Sequence, residues 1–120
     1  MAANAQPTRA LNLTTEKTPT ESIVRCTGQV VTETVPQLRE TARTLISESK
    51  RVVLDFTGVN YLDSSGLGMI VGLYLSSKGA GCQLKLINLS PRVKELLSIT
   101  RLAEVLESHA KEEMFGITPD

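Results

Sequence analysis

Tyr61-Leu62-Asp63-Ser64-Ser65-Gly66-Leu67-Gly68-Met69-Ile70-Val71-Gly72 carries two conflicting patterns. Leu67, Ile70, Val71 and Tyr74 recur at the i, i+3, i+4, i+7 spacing of one helix face. Yet the stretch holds Gly66, Gly68 and Gly72, and each glycine costs a helix interior up to ~1 kcal/mol relative to alanine. Asp63 stands where a helix N-cap belongs, so its carboxylate can accept from the free N–H groups of the first turn. Ser64 and Ser65 fall within that turn. The spacing predicts a helix over 64–78, closed by Gly79 and Gly81 and lying on a sheet through the Leu67–Tyr74 stripe. Met69 and Leu73 fall off this stripe, either as ordinary surface scatter or as a contact patch. Gly68 and Gly72 leave a groove without side chains. It admits either a closely approaching partner or tight packing within the domain. Gly66 and Gly68 are expected to make room for a partner at the helix start, and Gly72, two turns on, to pack internally.

Upstream of this helix, RVVLDF at 51–56 reads as a short strand buried on both faces, as in a parallel sheet. Residues 57–60 read as a turn, after which Tyr61-Leu62 resumes an extended path. Before that strand, Val35, Leu38, Ala42, Leu45 and Ile46 give one apolar face of a helix running to about Ser49. Thr34 and Gln37 are placed for a capping box, with Pro36 in the first turn. Residues 11–15 and 22–27 alternate or are β-branched and predict an antiparallel hairpin, with 16–21 as its turn. Downstream, QLKLINL at 83–89 reads as a further strand. Ser90-Pro91 caps a short helix, RVKELLSI. TRLAEVLE and HAKEEMF read as last short helices. The order β-β-α-β-α-β-α implies right-handed crossovers and a mainly parallel sheet with one antiparallel strand. Residues 1–8 are expected to be disordered, 9–116 to form one domain and 117–120 to be a tail.

Composition removes several function classes. The chain of 120 residues has 13 basic and 13 acidic side chains, without the basic excess of a nucleic-acid footprint. No apolar run is long enough to cross a bilayer, and MAANAQPTRA lacks the apolar segment of a signal peptide. The expectation is a cytoplasmic chain that does not insert in a membrane. Cys26 and Cys82 sit in predicted strands and read as buried free thiols. With no CxxC and no His/Cys cluster, no metal site is expected. No nucleophile elbow, phosphate-cradling loop or dinucleotide fingerprint is present. The sole histidine, His109, reads as a solvated surface residue. Asp55 and Asp63 give only weak support for paired-acid chemistry. No cofactor and no enzymatic activity are expected.

The run Val52-Val53-Leu54-Asp55-Phe56 followed by Tyr61-Leu62-Asp63-Ser64-Ser65-Gly66-Leu67-Gly68 resembles the signature of STAS domains. It is most similar to the small, free-standing anti-sigma-factor antagonists of bacteria. The similarity extends over 11–107, including Leu38-Arg39 and Ser90-Pro91-Arg92-Val93. It implies an α/β fold with a mixed sheet of four or five strands and helices mainly on one face. It also implies that Ser64 is phosphorylated by a partner kinase that is itself the anti-sigma factor, and that a serine phosphatase reverses this. Unphosphorylated, such a chain binds the anti-sigma factor and frees the sigma factor. The partner surface implied is Asp63, Ser65, Gly66, Gly68 and Met69 with the loop residues Gln29, Val31 and Thr32, on a monomer or weak dimer. The chain departs from the family where G-E-L-D is common: here the residues are Gly28-Gln29-Val30-Val31, without either acid. The competing expectation is a STAS subunit of a stress-signalling scaffold or of a lipid or anion transport assembly.

Overall fold

Val24 on one strand, Leu54 on the next and Leu86 on a third lie side by side in register, and all are fully buried. This row anchors a four-stranded sheet. The computed structural model describes residues 10–99. They comprise β1 (Leu11–Lys17), β2 (Glu21–Val30), α1 (Val35–Glu48), β3 (Arg51–Leu62), α2 (Ser64–Ala80), β4 (Gln83–Ile87) and α3 (Pro91–Ile99). The strand order is β1-β2-β3-β4. β1 pairs antiparallel with β2, and β2-β3 and β3-β4 are parallel. The element order is the one read from the sequence. The expected helices at TRLAEVLE and HAKEEMF, His109 and both predicted terminal tails lie outside the described residues.

One face of the sheet carries the core. Val24, Cys26, Leu54, Phe56, Leu84 and Leu86 pack with Leu38, Leu45 and Ile46 of α1, Ile70, Leu73 and Tyr74 of α2, and Val93 and Leu97 of α3 in a single cluster. Burying each large apolar side chain contributes about 1.5–3 kcal/mol. The opposite face carries charge: Arg25 pairs with Glu16 at 2.6 Å and reaches Asp55 at 3.8 Å. Asp55 also accepts from the Thr57 hydroxyl at 2.6 Å and from Asn88 Nδ2 at 3.1 Å. Burial works against its charged form, but these bonds and Arg25 outweigh that and hold the carboxyl below its ordinary range. Cys26 and Cys82 are both buried free thiols, and burial pushes Cys26 up to about 12.

Several boundaries differ from the sequence reading. The hairpin strands are longer, leaving a turn at Thr18–Thr20 that the Thr18 hydroxyl closes by accepting from Glu21 N at 3.1 Å. β3 runs unbroken to Leu62, because Gly58, Val59, Tyr61 and Leu62 stay paired with β2 across two register shifts. Those irregularities absorb the residues that read as a turn. β4 stops at Ile87, since Asn88 is left-handed at φ 59 to reach Asp55. Thr34 and Gln37 form no capping box. The Thr34 hydroxyl instead donates to Gln29 O at 2.8 Å and accepts from Val31 N at 3.0 Å, closing the sharp turn out of β2. Gln37 Nε2 ties α1 to Leu11 O at 3.0 Å. Gly81, left-handed at φ 70, ends α2, which continues through Gly79.

The face of α2 is turned relative to expectation. Ile70 and Tyr74 are buried as read, but so are Met69 and Leu73, while Leu67 and Val71 are half-buried. α2 is apolar nearly all round, so its periodicity admits two stripes. Packing against α1 as well as the sheet selects the one containing Met69 and Leu73.

Candidate functional site

Parallel pairing brings the C-terminal ends of β2 and β3 to one edge, so the β2–α1 turn lies beside the start of α2. The backbone N–H of Asp63 donates to Val30 O at 3.2 Å and fixes this junction. Asp63 is the N-cap of α2. Its Oδ1 accepts from Gly66 N at 3.0 Å, and its Oδ2 accepts from Thr32 N at 3.1 Å and Thr32 Oγ1 at 3.3 Å. The carboxylate thus caps one helix and ties down the entry to the other. Partial burial opposes its charge, but the N–H groups of Gly66 and Thr32, the Thr32 hydroxyl and Ser65 N–H prevail and hold its carboxyl below the ordinary range.

The two serines differ. Ser65 Oγ lies 2.8 Å from Thr32 Oγ1; with the Thr32 proton directed at Asp63, Ser65 is the donor. Ser64 is exposed, and its hydroxyl makes no hydrogen bond among the described residues. It stands at the first position of a helix whose free N–H groups and dipole favour negative charge.

Of the residues expected at a partner surface, Asp63, Ser64, Ser65, Gly68 and Thr32 gather here with solvent access. Three of the others present little or no free surface. Val31 has no exposed surface and Met69 is 5% exposed; the first turns inward where the chain leaves β2 and the second packs beneath α1. Gly66 is buried, and a Cβ on it would stand 2.6 Å from Leu62 Cδ1 and 2.8 Å from Val30 O. Its missing side chain serves the fold rather than a visitor. Gln29 is half-buried, its carbonyl held by Thr34 and its N–H by Ala10 O at 3.1 Å. Gly68 and Gly72 have nothing within 4 Å of a would-be Cβ, so the expected internal packing of Gly72 is also corrected. Arg39 and Arg43 line the same side of the molecule; the sequence reading quoted Arg39 only within the family resemblance and assigned neither a role at the site. Their i, i+4 spacing on the polar face of α1 was the available signal, and it reads as a solvated face.

Replacing Asp63 by alanine is expected to lower stability by about 1–2 kcal/mol at neutral pH, through the lost cap. A carboxyl depressed in the folded state stabilises fully above its unfolded value of ~3.9, and the effect fades as pH falls through the lower folded value. The gap between wild type and Asp63→Ala should therefore close below about pH 3.9. Urea titrations at neutral and acid pH measure it; a constant gap contradicts the assigned role.

Comparison with known proteins accords with this arrangement. The STAS domain family model matches residues 12–114. The chain is 32% identical to an anti-sigma-B factor antagonist of Bacillus subtilis, over 86% of this chain and 94% of that one. Its fold is similar to the anti-sigma factor antagonist SpoIIAA in its unphosphorylated form, with a TM-score of 0.66 and 21% identity over 81% of this chain and 95% of that one. It is also similar to the phosphorylated form of the Bacillus cell fate determinant SpoIIAA, with a TM-score of 0.63 and 22% identity over 78% and 86%. No helix among the described residues is long and apolar enough to cross a membrane. With the family model covering nearly the whole sheet-and-helix unit, and the cap, the exposed serine and the glycines at its expected edge, the chain belongs to the STAS domain family, as a relative of the small anti-sigma-factor antagonists.

Proposed function

We propose that this chain is an anti-sigma-factor antagonist. Unphosphorylated, it binds an anti-sigma factor that is also a serine kinase and so releases a sigma factor in the cytoplasm. Phosphorylation of Ser64 ends the association and a serine phosphatase restores it. The chain is a regulatory binding module, not an enzyme.

The observation that carries this reading is the contrast between neighbouring hydroxyls. Ser64 is exposed and unbonded at the positive end of α2, while Ser65 is engaged with Thr32. A phosphate on Ser64 adds about −1.5 to −2 charges near neutral pH. The helix end tolerates that charge, with roughly 0.3–1 kcal/mol of favourable dipole interaction. A docked partner does not, because the dianion beside Asp63 must be stripped of water. The charge thus alters the surface and leaves the fold in place.

Incubation with the anti-sigma kinase and ATP, followed by peptide mapping in a mass spectrometer, tests the assignment. The phosphate is expected on Ser64 alone. A phosphate on Ser65 or on another element would overturn it.

A further inference from the structure

A groove of about 560 Å³ runs between α1 and α2, and the switch just described does not account for its chemistry. Its floor is apolar: Val35, Met69 and Leu73 line it and are nearly fully buried. One wall is bare backbone at Gly68 and Gly72, where a Cβ would meet nothing within 4 Å. The other wall bears Arg39 and Arg43, one helical turn apart. No acidic side chain lines the groove. Among the described residues neither arginine makes an ion pair or a hydrogen bond. Two like charges at i, i+4 repel one another on a helix; the nearest carboxylate in sequence, Glu40, lies with Thr15, Gln37 and Thr44 on another side of α1 and makes no ion pair with either arginine. By contrast, Arg25 on the far face of the sheet is matched by Glu16 and Asp55.

We infer that this groove seats an acidic helix of the anti-sigma partner, with carboxylates one turn apart meeting Arg39 and Arg43 and its backbone lying over Gly68 and Gly72. This inference rests on the proposed function for the identity of the partner. Guanidinium groups present a planar fork that matches carboxylates in pairs. Bare glycines let a second helix approach more closely than any side chain would allow. The groove opens at Thr32 and Ser65, so it is continuous with the switch. That end of the groove lies at the first turn of α2, one residue from Ser64, and a phosphate on Ser64 would repel the same charges that Arg39 and Arg43 attract. One placement therefore accounts for both the unpaired arginines and the sign of the switch.

The test uses a helix-forming peptide of Glu, Ala and Leu with paired glutamates one turn apart, and a counterpart with Lys in place of Glu. Each is titrated into isotope-labelled full-length chain by NMR. The acidic peptide is expected to shift the Gly68 and Gly72 amides and the Arg39 and Arg43 side-chain signals saturably. The effect should fade as salt rises and weaken about tenfold in the Arg39→Gln/Arg43→Gln variant. The basic peptide should shift none of them. Absence of saturation, equal binding of the basic peptide or shifts confined to the Arg25 face would overturn the groove assignment. Because no kinase takes part, such a failure leaves the Ser64 reading standing. Against the anti-sigma kinase itself, the same double variant should bind about tenfold more weakly yet melt as the wild type does. Unchanged affinity there would overturn the assignment of the occupant.

Discussion

Ser64→Asp is expected to lower affinity for the anti-sigma partner by about a hundredfold, and Ser64→Ala to bind like unmodified wild type whatever the kinase does. An unpaired carboxylate taken out of water at an interface is penalised by a few kcal/mol, and each ~1.4 kcal/mol is a factor of ten. The folded chain alone should scarcely notice. Ser64 is exposed, and an acid in the first turn of α2 interacts favourably with the helix dipole by about 0.3–1 kcal/mol. Repulsion from Asp63 offsets part of that gain. Melting temperatures of the three forms should agree within a few degrees. A collapsed Ser64→Asp variant would mean that the hydroxyl is needed by the fold, and the loss of binding would then have a structural cause.

The second large effect is on stability. Gly66→Ala is expected to destabilise the domain by about 2–3 kcal/mol, within the range for overpacking a close-packed site. The added methyl would overlap Val30 O, which is rigid backbone and accepts from Asp63 N–H. Relief therefore requires the β2–α1 junction itself to move. For a domain of this size the melting temperature should fall by roughly 4–8 °C per kcal/mol. Gly72→Ala should do the opposite and add up to ~1 kcal/mol, since its methyl meets open groove. Denaturant titrations of the two variants separate them. A stabilised Gly66→Ala protein would contradict the packing described at the start of α2.

Glycine shows where the sequence was legible and where it was not. That Gly66, Gly68 and Gly72 fall inside one helix is plain from the letters, and so is the cap at Asp63. Which glycine is spaced for the fold and which for a visitor depends on what lies opposite each Cα. For Gly66 that is Leu62 and Val30, brought there by strand pairing. The rotation of α2 escaped for a related reason. Apolar residues surround this helix, and only its contact with α1 buries Met69 and Leu73 in preference to Leu67 and Val71. On α1, where polar residues flank a single stripe, all five residues read as buried are buried. The element order and the parallel core survived because they rest on alternating periods, which need no knowledge of the partner element. Thr34 and Gln37 matched a capping box by spacing, but tertiary acceptors at Gln29 and Leu11 took their hydrogen bonds.

A charge on Ser64 is expected to remove the partner surface without altering the domain. Titration calorimetry of the fully phosphorylated chain against the anti-sigma factor tests it most directly, repeated on the same sample after phosphatase treatment. Binding should be undetectable before treatment and fully restored after it, with amide NMR signals beyond the start of α2 unchanged throughout. Equal binding by the phosphorylated and dephosphorylated forms would rule out a charge switch at Ser64.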